Sequence, residues 1–376
     1  VGAAAGRLYI GTEKESGRLK LLNVKRAVGT PSYRGTMEVA LFDGGLVLIN
    51  ELSMEEYLYG VLPSEMPSSF GMEALKAQAV CARSYACNQL MANRFRQYGA
   101  HVDDSMVSQV YMNYGENEDA IFAVKDTFGK IMTYEGKCIT AYYFSCSYGH
   151  TSDSADVWGT ESGTGYLSGG CQTTEGGRLE LKTEKEFESF FYSDRNWYDE
   201  QAVWFRWKTI MEAGMEEILY ERLKERYTAV PDMVLTKKTE KDGTEHYVSE
   251  AIEPLGKLED IVILERGNSG IVTKLLLVGS NKTYLIQKEY NIRTVLASLT
   301  TITLADGSTS SNMPLLPSAY IRISKQENGF LIEGGGYGHG VGMSQYGAKA
   351  MAAQGNTFEK ILGHFYPGTE LTYLYQ

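Results

Sequence analysis

With 376 residues, 43% of them hydrophobic and 22% charged, the chain has the make-up of a globular protein with room for one large core or two ordinary ones. A formal net charge of −11 argues against a nucleic-acid partner, because phosphate binding needs a concentrated basic surface. No apolar run approaches the roughly 18 residues of a membrane helix, and a start at Val1-Gly-Ala-Ala-Ala-Gly, without Met, is expected of an exported protein whose leader or anchor lies outside this sequence.

Residues 7–50 alternate in the period of strands, at Leu8-Tyr9-Ile10, Leu19-Lys20-Leu21, Met37 to Leu41 and Leu46 to Ile49, with glycine-containing turns between most of them. This predicts a small β sheet. The most informative stretch follows, from Glu56 to Tyr85. It sets one carboxylate, Glu65, between Pro63 and Pro67. Proline fixes its own φ and pushes its predecessor out of the helical region, so Glu65 is expected on a stiff turn, as an acid/base catalyst requires. The plain alternative is a solvated turn glutamate. A helix is expected next, capped by Ser68 or Ser69 and burying a stripe of Met72, Leu75, Ala79, Ala82, Ala86 and Leu90. Lys76 and Arg83 share another face, about 10 Å apart at 1.5 Å rise per residue. They read either as solvated cations or as a basic rail beside Glu65.

Residues 106–114 and 121–124 are short and ambiguous. Met132-Thr133-Tyr134 and Ile139 to Phe144 suggest a hairpin across Glu135-Gly136-Lys137, and residues 159–178, rich in Gly, Ser and Thr, a loop. Residues 183–226 are charged and read as helical, anchored by Phe187, Phe190, Trp197, Trp204, Ile210, Met215, Ile218 and Leu219. Strands are expected near 260–264, 271–278 and 283–287, and a last helix, boxed by Asn356 and Glu359, ending near His364. The whole reads as a two-lobed α+β protein with small sheets and helices around a substrate cleft. Its core is 1–178 with 326–376, and 179–325 is an inserted mixed lobe. There is no internal repeat.

Five cysteines leave at least one thiol unpaired in a monomer, and Cys81 and Cys87, six apart on one helix, face largely opposite sides. Cys146 and His150 stand four apart and could give two ligands to a structural zinc, which needs about four. Alternatives are a Cys146–Cys171 disulfide in an oxidising compartment or a plain thiol. The 26 tyrosines offer flat apolar faces with polar rims, which suit sugar rings.

Three segments in order, Glu56 to Tyr85, Ala141 to Thr151 with Val157-Trp158-Gly159, and Gly336 to Ala348 running on to Thr369, resemble the stage II sporulation protein D (SpoIID/LytB) family of peptidoglycan-active proteins. The resemblance implies an extracytoplasmic lytic transglycosylase acting on glycan strands, chiefly those stripped of stem peptides. It would cut between N-acetylmuramic acid and N-acetylglucosamine and leave a 1,6-anhydro end. Glu65, in its Pro-Ser-Glu-Met-Pro frame, matches the family's catalytic glutamate. A single acid suffices because the substrate's C6 hydroxyl replaces water as the nucleophile. Lys76 and Arg83 fall on family positions suited to the lactyl carboxylates, with Ser145, His339 and Gln345 as further polar binding candidates. The glycines flanking His339 would let backbone approach a ligand closely. No cofactor is required. Some family members hold zinc near Cys146, but here Phe144 stands where a histidine is usual. Implied partners are glycan strands, an amidase and membrane-anchored sporulation proteins. The competing readings are a non-catalytic activator of an N-acetylmuramoyl-L-alanine amidase and a purely structural member of a sporulation complex.

Overall fold

The structure, a computed structural model, describes residues 2–4, 6–14, 16–26, 29–105, 107–112, 115–159, 165–297 and 301–375. Of the loop expected at 159–178, residues 160–164 lie outside these. The chain has the expected α+β class and divides into two compact units. One holds the residues up to Tyr142 and those from Met351 onward; the other is Tyr143–Ala350. The sequence reading put the seams after 178 and 325. Strand pairing explains the difference: Tyr143–Phe144 lies parallel to Met343–Ser344, and Gly329–Gly334 pairs with Trp207–Glu212, so both flanking segments belong with the middle of the chain.

The first unit opens with an antiparallel sheet in the order Gly2–Ala4, Arg7–Ile10, Thr36–Phe42, Gly45–Glu51. Asp43 and Gly44, both at positive φ, make the tight turn between its last two strands. The residues called a stiff turn are instead the end of a helix, Met54–Glu65. Ser53 caps it through the Glu56 N–H (3.3 Å), and Pro63 sits inside its last turn. The Ser-x-x-Glu signature of Ser53 and Glu56 could have revealed it.

The long helix Met72–Ala92 follows, but neither Ser68 nor Ser69 caps it. Ser68 lies in a single 3-10 turn and hydrogen-bonds Asn117 (3.1 Å), while Gly71, at φ 93°, makes the junction. The stripe is buried at Leu75, Ala79, Ala82 and Ala86, whereas Leu90 is exposed. Burial also runs well beyond the stripe, through Ala74, Ala77, Val80 and Cys81, because the helices Met54–Glu65, Glu118–Asp126 and Phe358–Phe365 and the strand Lys130–Tyr134 all pack on it. Its alanines allow that close approach.

The hairpin turns at Glu135-Gly136, but its return strand is only Lys137–Cys138, since Tyr143–Phe144 pairs elsewhere. Helix Phe358–Phe365 begins after Thr357 rather than in a capping box. Its Phe358 N–H donates to Glu73 of the long helix (2.7 Å).

The second unit carries two five-stranded antiparallel sheets. One runs Thr309–Ser310, Ile302–Leu304, Trp207–Glu212, Gly329–Gly334, Ile321–Gln326; the other Glu245–Val248, Val234–Thr239, Thr283–Gln287, Val272–Gly279, Leu258–Arg266. A core including Trp207, Leu223, Leu275, Tyr284, Ile292 and Ile332 joins them with helices Glu216–Ala229 and Glu289–Val295. Residues 207–212, read as helical, form a strand with strictly alternating burial, so Ile210, expected as an anchor, is exposed. Among the described residues no helix is long and apolar enough to cross a membrane.

Candidate active site

Glu65 is the last residue of helix Met54–Glu65, and the chain turns extended at Met66. Pro63 removes the N–H that would face the Tyr59 carbonyl, and the helix ends two residues later. One carboxylate oxygen, Oε1, accepts the Val110 N–H at 2.7 Å. The neighbouring Gln109 is buried; its Nε2 donates to the Ala82 carbonyl and its Oε1 accepts the Tyr57 hydroxyl, each at 3.3 Å. The long helix therefore anchors a loop, and the loop anchors the carboxylate. Glu65 itself is half-buried.

Tyrosines surround this position. Tyr57 is held above its ordinary value by burial first, then by Tyr111, Glu65, Tyr85 and Asp103. Tyr85 is raised by burial and then by Tyr142, with Arg94 opposing and Asp103 and Glu65 adding. The Tyr57 and Tyr111 rings lie 5.2 Å apart, and those of Tyr85 and Tyr142 meet edge to face at 5.8 Å. The site is thus a fixed carboxylate among phenols that stay neutral.

The basic rail does not survive as a ligand surface. Lys76 and Arg83 do share a face, but it points at helix Glu118–Asp126. Lys76 bridges Glu73 and Asp126, each at 2.9 Å. Arg83 is fully buried. It grips Glu55 in a fork (2.8 and 2.7 Å) and donates to the carbonyls of Lys130 and Val124. The same carboxylate accepts the Tyr375 hydroxyl. A guanidinium so enclosed is a structural cation, and the spacing could not show this because Glu55 lies 28 residues upstream.

The other candidates belong to the second unit. Ser145 and Gln345 are brought side by side by the register Tyr143↔Met343 and Phe144↔Ser344, and the Tyr346 N–H donates to the Ser145 carbonyl (3.1 Å). His339 sits between the rings of Phe144 (5.7 Å) and Trp158 (5.2 Å). Its Nδ1 accepts the Val341 N–H (3.1 Å), and burial, helped by Arg293, pushes it down to about 3. It is a neutral, structural imidazole. The glycines beside it make room for protein: a Cβ on Gly338 would strike Phe144, and one on Gly340 the Tyr320 hydroxyl.

The residues do not fit zinc. His150 has both ring nitrogens engaged, Nδ1 with the Thr151 carbonyl (2.6 Å) and Nε2 with the Leu179 N–H (3.4 Å), and burial pushes it down to about 4. The Cys146 thiol donates to the Ser147 carbonyl (3.1 Å), and burial and Asp199 hold it well above its ordinary value. Among the described residues no three His, Cys, Asp or Glu converge to hold a metal. Nor are Cys146 and Cys171 bridged; both are free, buried thiols.

One buried carboxylate escaped sequence reasoning. Asp199 is fully buried and accepts the Ser147 N–H and hydroxyl (2.8 Å each) and the Ser344 hydroxyl. Burial still pushes it up to about 6.

Comparison with known proteins places these features. A family model described as Stage II sporulation protein matches residues 42–134, which contain Glu65, its loop and the long helix. A domain of unknown function, DUF8618, matches residues 235–342. The amidase enhancer of Bacillus subtilis (strain 168) is 32% identical over 84% of this chain, which spans only 40% of that relative's length. Stage II sporulation protein D of the same organism is 27% identical over 86% of this chain and 76% of its own length, and that of Bacillus amyloliquefaciens 28% over 86% and 75%. The Glu65 frame thus lies inside the segment that the family model matches, and the likeness to the D proteins extends over most of both chains: residues 42–134 carry the segment of the stage II sporulation protein family, and the chain is similar to its D proteins well beyond it.

Proposed function

We propose that this protein is a cell-wall lytic transglycosylase in which Glu65 performs both proton transfers. The observation that carries this reading is the placement of Glu65: it ends a helix, is half-buried, and has one oxygen fixed by a backbone N–H beside two neutral phenols. With Oε1 holding the Val110 N–H, Oε2 carries the proton of the acid. Donation to the glycosidic oxygen releases the leaving sugar. The resulting carboxylate then removes the C6 hydroxyl proton as that oxygen closes on the anomeric carbon, so one group suffices. Neutral tyrosines beside it offer ring faces and hydroxyls to sugar without adding a competing negative charge. Lys76 and Arg83 are occupied, so we assign recognition of the lactyl carboxylate to Arg94. It is exposed, lies just past the Asn93 cap of the long helix, and acts electrostatically on Tyr85.

A second reading rests on the relative named an amidase enhancer: the protein would bind the wall and activate a partner amidase outside the membrane, without cutting glycan. Incubation with peptide-free glycan, followed by mass spectrometry, separates the two. Anhydro ends support the transglycosylase. Intact glycan together with faster hydrolysis by an added amidase supports the activator and removes the catalytic reading.

A further inference from the structure

The five thiols are unevenly placed. Cys81, Cys146 and Cys171 are buried, whereas Cys87 and Cys138 are partly exposed. Those two also meet. Cys87 lies on helix Met72–Ala92, and Cys138 ends the return strand Lys137–Cys138, which packs on that helix. Two contacts bracket Cys87. The Cys138 Sγ reaches the Ser84 carbonyl, three residues before it, at 3.5 Å. The Asn88 side chain, the next residue, donates to the Cys138 carbonyl at 3.0 Å. Between these contacts the Cys87 thiol is the neighbouring group that acts on the Cys138 thiol. The hairpin is held in place by its turn, with Glu135 and Gly136 both at positive φ, and by the Met132 N–H on the Ser84 hydroxyl (2.9 Å). The Glu65 site does not use this pair.

We propose that Cys87 and Cys138 form a redox modification site, a dithiol that a small-molecule disulfide converts into one intramolecular disulfide joining the long helix to the hairpin. Oxidised glutathione serves as the oxidant. One thiol loses its proton, and its thiolate attacks the glutathione disulfide; a mixed disulfide forms and one glutathione leaves. The second protein thiol, deprotonated in turn, attacks the protein sulfur of that mixed disulfide and expels the second glutathione. The protein loses two hydrogens and two electrons, and two glutathione thiols appear. Cysteines bracketed so closely need only side-chain rotation to reach bonding geometry, and adjacency makes the second step faster than accumulation of the adduct.

The test uses the whole reduced protein, treated with oxidised glutathione, then denatured without reductant. The expected result is a fall from five titratable thiols to three, a mass lower by two hydrogens, a Cys87–Cys138 linked peptide, and a Tm raised by about 5 °C or more. In Cys87→Ser and Cys138→Ser, which keep the Tm of the reduced parent, the surviving partner should carry a stable glutathione adduct and the Tm gain should vanish. Stable adducts on the parent protein, a bridge to any other cysteine, or five unreacted thiols would each overturn the proposal.

Discussion

Glu65 and Asp199 are the same kind of group put to opposite use. Each accepts a backbone N–H, from Val110 and from Ser147. Around Glu65 the protein leaves partial exposure and phenols; around Asp199 it adds two hydroxyls and removes all water. Fixing a carboxylate does not by itself suit it to the acid/base role proposed for Glu65. What distinguishes the two is access: Asp199 ties the Ser147 loop to Ser344, whereas Glu65 is held by a neighbour that leaves it partly open. The pair Glu55–Arg83 extends the contrast to the first unit, where a buried carboxylate is gripped by a guanidinium fork.

The sharpest break is Glu65→Gln against Asp199→Asn. Glu65→Gln should lower glycan cleavage by about 10²–10⁴ and leave the melting temperature almost unmoved, because Gln can still accept the Val110 N–H. Asp199→Asn should retain cleavage within a few-fold. Equal losses in the two variants, measured on peptide-free glycan, would erase the distinction.

Next in size is Arg83→Met. It strands Glu55 in the core and should cost about 3–5 kcal/mol in urea unfolding, whereas Lys76→Ala, at a partly exposed pair of bridges, should cost about 1 kcal/mol or less. Similar costs would mean that Arg83 is not the structural cation its burial indicates.

The third test is pH. Asp199 is raised to about 6 by burial. Between about pH 4 and 6 the native state keeps a proton that the unfolded chain has lost, so this contribution to stability is present in acid and is lost as pH rises through 6, by up to about 3 kcal/mol. His150 and His339, both lowered by burial, run the other way: the unfolded chain takes up protons below about 6.5 and the native rings do not. The informative quantity is therefore a difference. The Tm of Asp199→Asn minus that of the parent should climb between pH 4.5 and 7; a flat difference would mean that Asp199 titrates normally. The smallest expected effect is Arg94→Ala, which should weaken stripped-glycan binding several-fold, about 1 kcal/mol, with less loss for a neutral chitin oligomer. Calorimetry at two salt concentrations would read it.

What the sequence made legible was local. The alternation at 36–51, the strands near 260–287 and the long helix could be read because each needs only its own period. Residues 207–212 also carried a strand period, but the charged helical character of their surroundings masked it. The Glu65 frame was legible as a motif, although its helical setting was not, because Pro63 looked like a breaker and in fact sits where the helix is ending. Partners distant in sequence stayed hidden. Glu55 for Arg83, Asp126 for Lys76 and Asp199 for Ser147 are pairings that only the fold creates, and the first two turned expected ligand groups into structural ones.

The hydroxyl of Tyr375 on Glu55 has a consequence for the order of events during synthesis. The unit that carries Glu65 is interrupted by the whole of the second unit, and residues 358–375 supply a helix against Met72–Ala92, a strand beside Lys130–Tyr134 and the last donor to the buried ion pair. A nascent chain that has emerged only as far as Tyr142 holds Glu65 and its Val110 anchor but lacks the helix and strand that complete this unit. The first unit is therefore completed only after the whole of the second has been synthesised.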